Sequence, residues 1–310
     1  MTPALAAPLF VASIALMLLA SAQFARRLDH VGLRLGLPEA LLGLLTAFAA
    51  DSPEISSAIS ALVQHEHTVA VGVVVGSNAF NLAAMLGLSA VLTARIRAEH
   101  ATFELETVAG LLLLAVLLAL VAGGIGGTAA GALVGAVAVP YVVLLARTPR
   151  RQERAGYSRP EAAQLLAVLL LALALIVAGS VGAVRAATDL AQAWSVPQAL
   201  VGVVVLAILT SLPNAWTGVR FGVQGRGSAL ASESLNSNSI NLVAGLAIPA
   251  ALGSFAGFSH LDVFDLAWLF AMTSAAFVLL GRRSGAGRAA GVFLIALYAV
   301  FVAVQLAASA

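Results

Sequence analysis

Two stretches of this chain, 160 positions apart, carry the same polar string inside apolar surroundings. Ser52-Pro53 is matched by Leu212-Pro213, Ser77-Asn78 by Ser237-Asn238 and Asn81-Leu82 by Asn241-Leu242, all at the one offset. A proline and an S-N-x-x-N-L string that return together without a gap imply an internal duplication, which constrains the fold before any single helix is placed. The first copy, Ala47 to Asn81, also holds two carboxylates three residues apart, Asp51 and Glu54. A carboxylate near the middle of a membrane costs roughly 2.5 to 3.5 kcal/mol on insertion scales, so an ionisable pair at such depth marks a functional site by default.

Composition makes the surroundings a membrane. The 310 residues are 61% hydrophobic and 10% charged, with a mean hydropathy of +1.02, where a soluble domain carries about 25% charged residues. A spanning helix takes about 20 apolar residues. Apolar runs between glycine, proline and charge breaks predict ten helices, over about residues 4–24, 37–64, 68–94, 104–123, 127–146, 161–184, 197–223, 228–254, 263–281 and 287–308. That leaves no room for a soluble domain. The first run, Pro8 to Ala22, has no basic segment ahead of it and Arg26 and Arg27 behind it, and so reads as a membrane helix rather than a cleaved signal peptide. There is no cysteine, which excludes disulfides and thiolate metal sites.

All sixteen basic residues are arginine. Fifteen follow predicted helices 1, 3, 5, 7 and 9; Arg185 alone follows helix 6. The positive-inside rule then puts the arginine side in the cytoplasm, with the loop 147–160, and both termini outside. The expected organisation is a five-helix half over 1–146 with one repeat near 40–90, the loop 147–160, and a second half over 161–310 with the other repeat near 200–250. The copies lie five helices apart, an odd number, so they are expected to be inverted. Inverted repeats with broken helices build many secondary transporters, whose sites lie at the repeat interface near the bilayer midplane.

Pro53 and Pro213 are each expected to break a helix, the second and the seventh. Ser52 is placed to cap the new half-helix and Glu54 lies in its first turn, while carbonyls around Ala47 to Ala50 need partners that lipid does not offer. Ser77 and Asn81, four apart, point one way from helix 3, and Ser237 and Asn241 repeat this on helix 8. Carboxylate, amide, hydroxyl and carbonyl oxygens together form a hard-cation ligand set. Asn78 and Asn238 read as interhelical hydrogen-bonding groups. His65-Glu66-His67 reads as a solvated turn, and Trp194, Trp216, Trp268, Tyr141 and Tyr298 as packing or interfacial residues. There is no H-E-x-x-H zinc pair or G-x-S-x-G nucleophile, and no lysine follows the glycines at 123–127 to make a phosphate loop, so nothing here points to an enzyme.

Ser52-Pro53-Glu54 with Gly76-Ser77-Asn78-Ala79-Phe80-Asn81 resembles the first α-repeat of the sodium/calcium exchanger family, the cation/Ca²⁺ antiporters. Thr210-Ser211-Leu212-Pro213-Asn214 with Asn236-Ser237-Asn238-Ser239-Ile240-Asn241 resembles the second. The resemblance implies an all-α membrane protein of ten helices in two inverted repeats, exchanging Ca²⁺ or another cation for Na⁺ or H⁺ by alternating access. It implies Glu54 as acidic ligand, Ser77, Asn81, Thr210 and Ser211 beside it, and the backbone carbonyls of Ala47 and Ala207. The chain departs from the family pattern at Asn214, where a glutamate is expected, and at Asn241, where an aspartate is common. Ala50 and Asp51 stand for threonine and serine, and Ala49, Leu209 and Asn236 for glycines.

The expected cation site is therefore Asp51, Glu54, Ser77, Asn81, Thr210, Ser211, Asn214, Ser237 and Asn241, with Asp51, Glu54 and Asn81 at the metal and Glu233, one turn before Ser237, as a further acid. Two carboxylates three residues apart repel, which favours proton coupling or a monovalent ion. The expected partners are inorganic cations and the bilayer, not nucleic acid, with no cofactor, in a bacterial inner membrane. The alternative that Asn214 and Asn241 raise is a transport-inactive paralogue acting as an ion sensor or membrane scaffold.

Overall fold

The computed structural model describes residues 1–34, 44, 47–98, 100–147, 159–253, 257–282 and 284–308. Helices dominate them. In chain order they are α1 (Pro3–Arg34), α2 (Ser52–Val63, after a helical turn at 47–50), α3 (His67–Thr93), α4 (His100–Val121), α5 (Gly127–Ala146), α6 (Arg159–Ala193), α7 (Gln198–Val223), α8 (227–251), α9 (His260–Leu280) and α10 (Arg288–Ala308). Eight of these are long and apolar enough to cross a membrane: α1, α3 to α7, α9 and α10. The two left out are informative. The first half of the expected helix 37–64 lies mostly outside the described residues, and α8 opens with five serines, three asparagines and a glutamate in fifteen residues.

The duplication extends from motif to architecture. Shifting His67–Asn81 by 160 gives Gly227–Asn241, and the π-helical turn Leu82–Gly87 that follows becomes Leu242–Ala247. Pairs α4/α9, α5/α10 and α1/α6 recur at nearly the same offset. Even the turn before each copy matches: His65 adopts a left-handed φ of 63° where Gly225 has 72°. The two copies bond reciprocally across their interface. The Asn78 amide donates to the Asn238 carbonyl at 3.0 Å and the Asn238 amide to the Asn78 carbonyl at 3.1 Å. Asn81 donates to Asn238 Oδ1 and Asn241 to Asn78 Oδ1 at 3.4 and 3.2 Å. Such exchange of equivalent contacts is the mark of a two-fold relation.

Several sequence expectations need correction. Pro213 does not break the seventh helix, since α7 runs through it. A proline within a helix frees only the carbonyl four residues before it, here that of Leu209, and membrane helices tolerate such a loss. The break near Pro53 is present, but Asp51 occupies the cap position, and Ser52 instead turns back to the Ala49 carbonyl at 2.7 Å. Arg185 lies within α6, not beyond it. The chain is also not purely helical, because Arg95–Ile96 (β1) pairs antiparallel with Ala286–Gly287 (β2). The loop 147–160 falls almost wholly outside the described residues.

Packing puts α3 at the centre. It is 89% buried over its apolar window, whereas α1, α5, α6 and α10 reach 28% at most and turn leucines such as Leu19, Leu170 and Leu171 outward. α3 crosses α7 closely through glycines: a Cβ on Gly76 would stand 2.4 Å from the Val203 carbonyl oxygen, and one on Gly202 would stand 2.5 Å from that of Val69. Small residues let membrane helices meet backbone to backbone, where van der Waals contact replaces the missing hydrophobic drive. Gly76→Ala must therefore push α3 from α7, at about 1 to 3 kcal/mol for such overpacking. Thermal unfolding of the purified protein checks this, and an unchanged melting temperature would contradict the crossing.

The termini of these helices define two faces. On one, β1 meets β2, Arg288 Nε donates to the Val91 carbonyl, and Arg95 and Arg97 line a cleft of about 260 Å³ with Gly222, Gly225 and Gly227. Three arginine-bearing loops, after α3, α7 and α9, thus share a face. On the other, the Met1 ammonium pairs with Asp189 at 3.2 Å, near the end of α6.

Candidate functional site

Where the α2 break faces α7 and α8, six polar side chains from both copies meet, none more than 1% exposed: Asp51, Glu54, Asn81, Ser211, Asn214 and Ser237. The broken second helix explains why two acids can sit here. Asp51 ends one helical turn, with its N–H donating to the Ala47 carbonyl at 2.8 Å, and Glu54 lies in the first turn of α2, where the helix dipole favours negative charge. The Ala49 carbonyl receives both Ser52 and Ser21 of α1.

Asn214 ties the two acids together. Its Nδ2 donates to Asp51 Oδ1 at 2.6 Å and to Glu54 Oε1 at 3.2 Å, and lies 3.3 Å from Ser237 Oγ. Ser237 donates to Asp51 Oδ1 at 2.5 Å, Ser211 to Glu54 Oε1 at 2.9 Å, and Asn81 to Ser237 at 3.1 Å. The side-chain donors to the carboxylates thus all converge on Asp51 Oδ1 and Glu54 Oε1. The remaining oxygens, Asp51 Oδ2 and Glu54 Oε2, are buried with no hydrogen-bond partner, as are the amide oxygens of Asn81, Asn214 and Asn241. A buried polar atom left alone costs about 1 to 3 kcal/mol, more when charged. A cation satisfies hard oxygens of this kind.

Of the other expected members, Asn241 is held by Asn78 at the reciprocal interface and reaches this network only through Asn78 and Asn238. Ser77 and Thr210 turn their hydroxyls onto carbonyls of their own helices, Val74 at 3.1 Å and Leu206 at 2.9 Å, while Thr210 also reaches the Ala207 oxygen. Glu233 is half-buried on α8 and within electrostatic reach of Asp51. Sequence reasoning missed a second buried cluster, in which Glu106 of α4 meets Ser232 and Asn236 of α8 and, through Asn236, Tyr141 of α5. Tyr141 is therefore a hydrogen-bonding member of a cluster, not only a packing residue. The available signal was an acid inside the apolar helix predicted over 104–123.

The family described as sodium/calcium exchanger protein matches residues 5–147 and again 164–307. The chain belongs to the sodium/calcium exchanger family. The match falls twice, once over each copy of the repeat. It is 26% identical over 289 residues, 86% of each chain, to Inner membrane protein YrbG of Escherichia coli (strain K12). Its fold is that of the sodium-calcium exchanger NCX_Mj, with a TM-score of 0.70 and 19% identity over 97% of this chain and 99% of that one. It is also that of the H⁺/Ca²⁺ exchanger CAX, with a TM-score of 0.78 and 15% identity over 98% and 84%. The chain is accordingly an integral, multi-pass membrane protein of a family of cation transporters.

Proposed function

We propose that this protein is a secondary active antiporter that exchanges Ca²⁺ or another cation for Na⁺ or H⁺ by alternating access at the Asp51–Glu54 site. The observation that carries the reading is the set of unpartnered buried oxygens, drawn from both repeats and clustered on two acids with no basic residue paired to them among the described residues. Asn81 lies near the middle of the 27-residue span of α3, which fits a site near the bilayer midplane. Asn214 supplies the switch. Its amide nitrogen bridges the carboxylates; turning the amide over presents its free Oδ1 to an incoming cation. Ser211 and Ser237 hold the acids in place, and Asn81 and Asn241 add neutral oxygens. Transport of a cation into proteoliposomes against a Na⁺ or pH gradient tests the reading, and flux of no cation under either gradient would defeat it.

The two faces support the orientation expected from arginine placement: residues 1–146 and 161–310 as inverted halves, both termini outside, and the arginine face in the cytoplasm. The chain has no cysteine, so single introduced thiols report sidedness cleanly. In intact cells a membrane-impermeant maleimide is expected to label Ala193→Cys, beside Asp189, and to spare Gln224→Cys on the arginine face. The reverse pattern would invert the topology.

A second reading, an ion sensor or scaffold without transport, draws on the same Asn214: an amide fixed between two carboxylates takes up by hydrogen bonding oxygens that a cation would otherwise bind. Ion-dependent stabilisation of the protein without flux would favour it.

A further inference from the structure

Glu106 sits in the second turn of α4, the end that follows β1 and so lies at the arginine face, and is 4% exposed. Its Oε1 accepts Ser232 Oγ and, at 3.1 Å, Asn236 Nδ2, which also reaches Ser232 Oγ at 3.2 Å; Tyr141 donates to Asn236 Oδ1. Its Oε2 has no partner, and among the described residues no basic group forms an ion pair with it. Two neutral donors thus converge on one oxygen of a buried acid, one of them backed by Tyr141, and leave the other oxygen bare. A bare carboxylate oxygen in a membrane interior is far costlier than a carboxylic acid. A larger cation would need several more free oxygens than the one found here, whereas a proton needs only that one.

We propose that Glu106 is a proton-binding carboxyl outside the central site, and that its proton occupancy is linked to cation occupancy at Asp51 through the adjacent residues Asn236 and Ser237 of α8. Asn236 donates to Glu106 while Ser237 donates to Asp51, so a shift of α8 that lengthens one bond disturbs the other. Few other titratable groups face this point. α5 contributes Tyr141 and α8 the half-buried Glu233; the π-helical turn of α8 has none. α9 packs here through its C-terminal end, where Phe277 stacks on Phe103 at 5.7 Å and residues 273–280 hold no titratable side chain. On α4 itself, Glu104 is exposed. The counterpart acid on α9, Asp265, is one residue out of register and is held by Gln305.

Difference infrared spectra of the purified full chain in lipid vesicles test this without requiring transport, so that failure here is separate from failure of the antiporter reading. Wild type is expected to show a protonated-carboxyl band that is lost on raising the pH, that is missing in Glu106→Gln, and that responds to added Na⁺ or Ca²⁺ only while Asp51 is present, vanishing as a response in Asp51→Asn. Ser232→Ala, which keeps the carboxyl and removes one donor, should displace the band. A spectrum unchanged by both Glu106→Gln and Ser232→Ala overturns the proton site, and a band in Asp51→Asn that still responds to the cation overturns the linkage.

Discussion

Glu54→Gln is expected to reduce cation exchange in proteoliposomes by about a hundredfold or more while the protein still folds. The carboxylate shares the Asn214 amide with Asp51 and offers a free Oε2 to a cation. One unit charge at about 4 Å is worth about 4 kcal/mol at an effective dielectric of about 20, and each 1.4 kcal/mol is roughly a factor of ten in affinity. The same substitution removes a buried charge that no cationic side chain balances among the described residues, so ion-free stability should hold or rise. The two readouts move apart: flux and ion-induced stabilisation collapse, while the ion-free melting temperature does not. Flux that is indifferent to Glu54→Gln, with the variant folded, would falsify the site.

Asn214→Asp is expected to do the opposite to ion binding. It puts a third carboxylate where the amide now donates 2.6 Å from Asp51 and 3.2 Å from Glu54, turning two attractive contacts into repulsions. Without ions the variant should unfold at a lower temperature than wild type. With Ca²⁺ the added charge should tighten binding by about ten- to a thousandfold, the range covered by roughly 1.4 to 4 kcal/mol. Thermal unfolding across a Ca²⁺ titration reads both effects. A variant that Ca²⁺ stabilises less than wild type would show that the bridging amide is no barrier to divalent ions, and that Asn214 has another role.

The sequence made the duplication legible because it conserves the spacing of polar residues whose types matter, and polar residues are scarce enough in apolar helices to stand out. Asp51, Glu54, Asn81, Ser211, Asn214 and Ser237 were readable for the same reason, and they come together. Hydroxyl direction was not readable. Ser77 and Thr210 sit at the expected positions yet bond to their own helices, since a serine or threonine has a carbonyl one turn back within reach whatever lies across the interface. Nor was the fate of Pro213, because a proline in sequence does not reveal whether the surrounding packing lets the helix run through it. Glu106 escaped because its two neutral partners come from α8, far along the chain, and no local spacing announces them.

The reciprocal amides of Asn78 and Asn238 lie where the two halves map onto each other. A point on a two-fold axis is its own image. If opening to one side is the two-fold role-swap of opening to the other, with each half taking up its twin's shape, then other contacts travel while that one stays put. Asn78 and Asn238 would then be the fulcrum of the rocking motion, and damage to them should slow passage in both directions alike.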